Sequence, residues 1–414
     1  MSAAPSMFAH DAWTPARSNA GLSAFGRIAF GFLWIFVFTL PGEKVLEFPG
    51  IGTITRLIGA VAIAVGALAI VEAGRIRRPS PAHVAMAAFV FWAAATYCWS
   101  LDPDWTQERA FTFFQLFAMA WLIWEFGRDD REQQLLMQAY VLGTLVSAGD
   151  TIGNYLFSRQ TYYLRYATTG FEPNDLGLTL ALSIPLSYYL MLRAKGFKAL
   201  IYRVQLVVAS SALLLTASRG ALIAGVIGLS LAPWTFRRLT RRVQVANLAT
   251  IAVFAVAAML YVPESSWKRI ATIHSEVTQG TLNQRTTIWA AGLDALGRHP
   301  FLGVGAGAYP AAVRAELGTG MGMVFVAHNS FLSVLVEGGA IGFLTFAGLL
   351  GVLVLSIRDL PSLERKLWIV TLTAWAVGAS TLSWEHRKPT WLLFSLLAAQ
   401  WGTARRAFAN GGIE

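Results

Sequence analysis

Long apolar runs separated by short polar stretches recur from one end of the chain to the other. They fall at approximately 22–40, 53–71, 82–100, 109–126, 135–156, 174–194, 199–217, 219–234, 245–262, 328–357, 365–382 and 390–405. An α-helix rises about 1.5 Å per residue, so roughly 20 apolar residues cross a hydrocarbon layer about 30 Å thick. The pattern predicts an all-α, polytopic integral membrane protein with about 12 transmembrane helices, forming one transmembrane domain over residues 1–414. The run at 328–357 is long for a single span, so it is expected to be tilted, broken, or extended beyond the bilayer.

The one long extramembrane piece, 263–327, lies between the ninth and tenth spans and reads as a partly helical loop. Within it, "NQRTTIWAAGLDALGRHP" predicts a helix capped by Asn283. Its apolar face would be Ile288, Trp289, Gly292, Leu293 and Leu296, with Arg298 in the last turn and Pro300 as the stop. Such an amphipathic helix is expected to lie on the membrane surface. The following "FLGVGAGAYP" resembles a nucleotide-binding glycine loop, but it lacks the preceding strand of a βαβ unit. Gly303, Gly305 and Gly307 are read instead as a flexible or tightly packed re-entry loop.

Composition agrees with the spans. The chain is 55% hydrophobic and only 14% charged, where soluble proteins carry about a quarter charged residues. Cation placement then orients it. With both termini cytoplasmic, 20 of the 33 lysines and arginines fall on the inner side, among them Arg75, Arg77, Arg78, Arg237, Arg238, Arg241 and Arg242. That bias accounts for the net charge of +10 through contact with anionic lipid, and nucleic-acid binding is not needed. The first apolar run has no small-residue cleavage pattern after it and reads as a retained helix. Cys98 is the only cysteine, which excludes an internal disulfide and a cysteine-based metal site.

Thirteen cations remain on the outer side against the bias, including Arg109, Arg159, Arg165, Arg219, Arg269, Arg285, Arg387 and Lys388. An anionic substrate is one reason to hold them there. Arg219, in "TASRGALIAG", sits in a turn too short to be a real loop. It either snorkels to headgroups or faces a cavity. Arg285 falls in the first turn of the loop helix, where free N–H groups favour an anion, or it is a solvated loop arginine. His328 is either an interfacial histidine or a general base, because neutral imidazole accepts a proton near neutral pH. Glu337 is nine residues on, half a turn out of phase, and roughly 13 Å deeper along a continuous helix. It is expected to serve packing rather than the histidine. The histidines give no pair at metal-ligand spacing, and neither HExxH nor a GxSxG elbow occurs, so metal: none is the expectation.

The segments "SRGALIAG", "RTTIWAAGLDALGRHPFLGVGAG" and "HNSFLSVLVEGGAIG", in that order, resemble the superfamily of O-antigen ligases and polymerases, bacterial membrane glycosyltransferases. "YCWSLDPDWTQERA" and "FEPNDLGLTLAL" also look like family landmarks, so the resemblance extends from about residue 95 to 345. His328–Asn329 followed by Gly339-x-x-Gly342 is similar to the ligase-type histidine motif.

The resemblance implies an enzyme that moves a glycan from undecaprenyl diphosphate to an acceptor hydroxyl at the periplasmic face of the bacterial inner membrane, with no metal or other cofactor. The ligase branch, whose acceptor is lipid A–core, fits best. It implies His328 as catalytic base and Arg219 and Arg285 as binders of the diphosphate, with Asn329, Arg109, Arg165, Arg387 and Lys388 as further substrate-binding candidates. A polymerase, whose acceptor is a growing glycan, is the alternative. Arg159 with Gly170 and Arg269 with Gly280 match an arginine–ten–glycine spacing seen in some polymerases. A flippase for lipid-linked glycans is the rival from another class, but no motif repeats between the two halves.

Overall fold

The computed structural model describes residues 22–45, 47–48, 52–159, 165–272, 285–317 and 324–409. Asn283, expected as a helix cap, and Gly280 of the second arginine–glycine spacing lie outside these residues. The described chain is a helical bundle, with one two-stranded pairing of Glu47–Phe48 against Gly52–Thr53.

Nine helical segments among the described residues are long and apolar enough to cross a membrane. They contain helices α1 (Ala24–Thr39), α2 (Ile54–Ala73), α3 (Pro81–Ala95), α5 (Asp130–Leu156), α6 (Pro173–Arg193), α7 (Phe197–Leu215), α8 (Arg219–Leu229) running into α9 (Leu231–Phe236), α10 (Arg241–Tyr261), and α14 (Ser330–Ser356). Three of the expected spans are occupied by long helices without so long an uninterrupted apolar stretch: α4 (Pro103–Phe126), α15 (Ser362–Ala379) and α16 (Lys388–Ala409). Burial explains the polarity of the last two. Trp368 on α15 donates to Gln400 on α16 at 2.6 Å, and Trp375 donates to Thr390 at 3.0 Å, with all four side chains buried. A buried indole needs an acceptor, so interior helices carry polar partners that a lipid-facing helix does not.

Helix α6 is central, with 94% of its apolar window buried, whereas α10, at 11%, presents nearly all of its surface outward. The two ends of the bundle are held by separate ionic networks. At one end Arg193 bridges Asp130 at 2.5 Å and Glu364 at 2.6 Å, while Arg77 donates to Trp124 O at 2.5 Å. The other end carries α11 (Glu264–Ala271), α12 (Arg285–Arg298) and α13 (Tyr309–Leu317), and it gathers every candidate site residue.

Helix α12 departs from the expected surface helix. Its buried residues are Ile288, Ala291, Gly292 and Ala295, while Leu293 is exposed. The face turns because α12 packs on α13. Tyr309 of α13 donates to Ile288 O at 2.8 Å, and its ring fills the space where Gly292 has no side chain.

Candidate active site at the loop end of the bundle

The long tenth run is broken. Helix α14 contains Gly339 at φ 64° and ψ −168°, a conformation outside the helix. A break strands the backbone groups on either side, and they must find partners if buried. The glycine loop supplies them. Val304 N donates to Val336 O at 3.1 Å and Gly305 N to Glu337 O at 2.9 Å. In return Ala340 N donates to Pro300 O at 2.9 Å and Ile341 N to Phe301 O at 3.3 Å. Of the two states expected for the loop, it is the packed one. It is threaded into the helix break, and it delivers α12 and α13 to the mouth of the bundle.

His328 stands just before the short half-helix. Asn329 is its N-cap, with Oδ1 accepting from Phe331 N at 3.0 Å and Leu332 N at 3.1 Å. His328 itself has φ 45°, in the left-handed region that a histidine rarely adopts. Its neighbour Ala327 is tied to α12, because Trp289 donates to Ala327 O at 2.7 Å. The imidazole pKa is lowered to about 4, first by burial and then by the Arg285 cation, with Asp175 opposing. The resting ring is therefore neutral near neutral pH.

Arginines converge on the same end. Arg285 opens α12, and its pKa is lowered by burial and by the charge of Arg219. Arg219 opens α8 and contacts Thr272 Oγ1 at 3.2 Å. Arg269 on α11 donates to Ala217 O at 3.1 Å. Arg165 is buried, donating to Thr216 O at 2.8 Å and Asn174 Oδ1 at 2.7 Å, and pairing with Glu172 at 3.7 Å. Its pKa falls to about 10, through burial and through Arg269, Arg219 and Arg285, with Glu172 opposing. Arg165 and Arg269 thus grip the two carbonyls of the turn that precedes Arg219, in which Ala217 has φ 47°.

The weaker candidates each meet a carboxylate. Arg387 donates to Asp175 Oδ2 at 2.7 Å, and Lys388 pairs with Glu43. Arg109 donates to Glu385 Oε1 at 3.1 Å, contacts His386 Nδ1 at 3.1 Å, and lies 3.9 Å from Glu337 Oε2. Glu337 also accepts from Gly307 N at 2.7 Å and from Ser333 Oγ at 3.2 Å. It braces the glycine loop, as its expected packing role requires. His386 is pushed down to about 4 by burial and then by Arg109, against Glu385.

Several residues here escape sequence reasoning. Asp175, whose charge reaches His328, is held by Arg387 and by Trp384 Nε1 at 2.8 Å. It lies in "FEPNDLGLTLAL", a stretch noted for its resemblance with no role given to its carboxylates. Glu385, 1% exposed, has no such signal, since the arginine it pairs with, Arg109, is 276 residues away.

Residues 204–347 match a family model described as O-antigen ligase. No curated protein shows a significant match to the chain. The matched segment runs from α7 through the arginine-bearing α8, the loop helices and His328 to the first turns after the helix break. That match, set in a helical membrane fold, supports a place for the chain in the O-antigen ligase superfamily.

Proposed function

We propose that the protein is an O-antigen ligase, transferring a glycan from undecaprenyl diphosphate to a hydroxyl of lipid A–core. The observation that carries the reading is a neutral, half-buried histidine in a strained backbone conformation at one end of the bundle, within electrostatic reach of an arginine cluster. In the reaction the acceptor oxygen attacks the anomeric carbon as the carbon–oxygen bond to diphosphate breaks. The bonding pair leaves on the diphosphate, and the hydroxyl proton passes to His328. One displacement inverts the anomeric centre.

Arg219 and Arg285 bind the leaving diphosphate as its charge grows, taking the electrostatic part that a metal ion plays in other transferases. Arg165 and Arg269 hold the turn before Arg219 and add positive potential. Bound diphosphate would offset the Arg285 charge that depresses His328, so donor binding itself makes the histidine a stronger base. Asp175 favours the imidazolium that results. Basic loops at the opposite end support cytoplasmic termini and a periplasm-facing site in the inner membrane.

The test is glycan transfer by purified protein from a lipid-diphosphate donor, with lipid A–core or a second glycan offered as acceptor. His328→Ala should abolish transfer to lipid A–core while the protein remains folded. Transfer to the second glycan alone would make the enzyme a polymerase, and undiminished activity of His328→Ala would remove the base assignment.

A further inference from the structure

A cavity of about 310 Å³ lies between α8 and α10, roofed by Trp267 of α11. Its α8 wall is Leu222, Val226 and Leu229, and its α10 wall includes Phe254 and Met259. The floor is apolar apart from Ser210, formed where α7 packs against α8. Two of the cavity's lining residues are exposed on the outer surface of the bundle. They are Val226, 61% exposed, and Met259, 79% exposed, both on helices apolar enough to cross a membrane. Helix α10 stands away from α8 and packs on α7, leaving the slot between.

The slot is aligned with the cation cluster. Arg219, Leu222, Val226 and Leu229 are spaced i, i+3, i+7 and i+10, which places them within one stripe of α8. The stripe that lines the cavity therefore begins at Arg219, and Leu229 lies roughly 15 Å deeper along the axis. Trp267, over the cavity, and Arg269, which grips the turn before Arg219, share the short helix α11. A molecule with an anionic head and a hydrocarbon tail matches both halves of this arrangement. On volume, a cavity of about 150 Å³ accepts a benzene ring, so this one has room for roughly a dozen carbons.

We propose that the groove holds the first two or so isoprene units of the donor's lipid, setting the diphosphate against Arg219. The inference rests on the donor reading above and adds the place where the tail docks. Hydrocarbon seated there contributes affinity only until the groove is full, because further carbons simply remain among lipid tails. Donor KM should therefore fall as the chain grows from one isoprene unit to about three and then level off.

The experiment uses the full chain in nanodiscs, with a series of synthetic diphosphate-linked glycans carrying one, two, three and eleven isoprene units. For the wild type, KM should fall about tenfold or more between one unit and three. In Val226→Trp, and separately in Met259→Trp, the ratio of those KM values should collapse towards one. Leu248→Trp, on the exposed face of α10 and away from the groove, should keep the wild-type ratio. Both groove variants retaining the full chain-length dependence would overturn the proposal and leave the slot to ordinary bilayer lipid. Failure of the wild type to use any donor of the series would instead overturn the donor reading itself.

Discussion

Replacing Arg285 by glutamine tests whether the arginine cluster sets the basicity of His328. The ring falls from 6.5 to about 4, with burial the larger cause and Arg285 the second. Arg285 is therefore the larger of the two charges acting on the ring, and its removal should raise the pKa. Glutamine keeps a polar side chain at the head of α12 and leaves burial nearly unchanged. Because kcat/KM reports ionisation of the free enzyme, its acid limb should move upward by the same amount.

The rate on the plateau should fall roughly a hundredfold, since the diphosphate loses a cation in the transition state. The assay is kcat/KM for transfer from the lipid-linked donor across the acid and neutral range, for wild type and variant. A titration of the His328 ring by NMR gives the pKa directly. An acid limb that stays in place or moves downward would refute the coupling. Stability follows the same ionisation. Between about 4 and 6.5 the unfolded chain binds a proton at this histidine that the native chain does not. Stability from His328 is therefore complete above 6.5 and is lost as the pH falls towards 4, and Arg285→Gln should shorten that window from its acid side.

Four further outcomes are expected. Trp289→Phe removes the donor to the buried Ala327 carbonyl, which should cost about 1–3 kcal/mol in unfolding experiments and lower kcat several-fold with little change in donor KM. Gly305→Ala should lower the unfolding midpoint markedly, because φ is 111° and the new Cβ would lie 2.2 Å from Ser100 Oγ. Gly74→Ala, at φ 59° with nothing within 4 Å, should cost only the roughly 1–2 kcal/mol of its left-handed backbone. Glu172→Gln removes the carboxylate that opposes both Arg165 and Arg285, so inorganic diphosphate should inhibit transfer several-fold more tightly.

Most of the membrane fold is legible in the residues because lipid imposes a one-dimensional rule. A helix facing lipid must be apolar for its whole length, and hydropathy reads that directly. The same rule weakens for α15 and α16, whose tryptophans and amides meet inside the bundle. The face of α12 was misjudged for a related reason. Periodicity says that a helix has an apolar side, but whether lipid or Tyr309 meets it depends on a residue outside that helix.

At the site, the types of residue could be read and their partners could not. Arg219, Arg285 and His328 stand out because each is costly where it lies or belongs to a recognisable motif. Asn329 stands out equally, yet its side-chain oxygen caps α14. Arg109, Arg387 and Lys388 pair with Glu385, Asp175 and Glu43, partners up to 345 residues away in the chain that no local pattern discloses.

The sequence by itself determined the apolar runs, the segregation of charge, the family landmarks and the candidate histidine. The tertiary structure decided which charges act on His328, how the glycine loop is knitted into the helix break, and where an apolar cavity opens along α8. The physical reason is range. Hydropathy and capping act between near neighbours in the chain, whereas ion pairing, burial and cavity shape are set by helices that meet only after the bundle has closed.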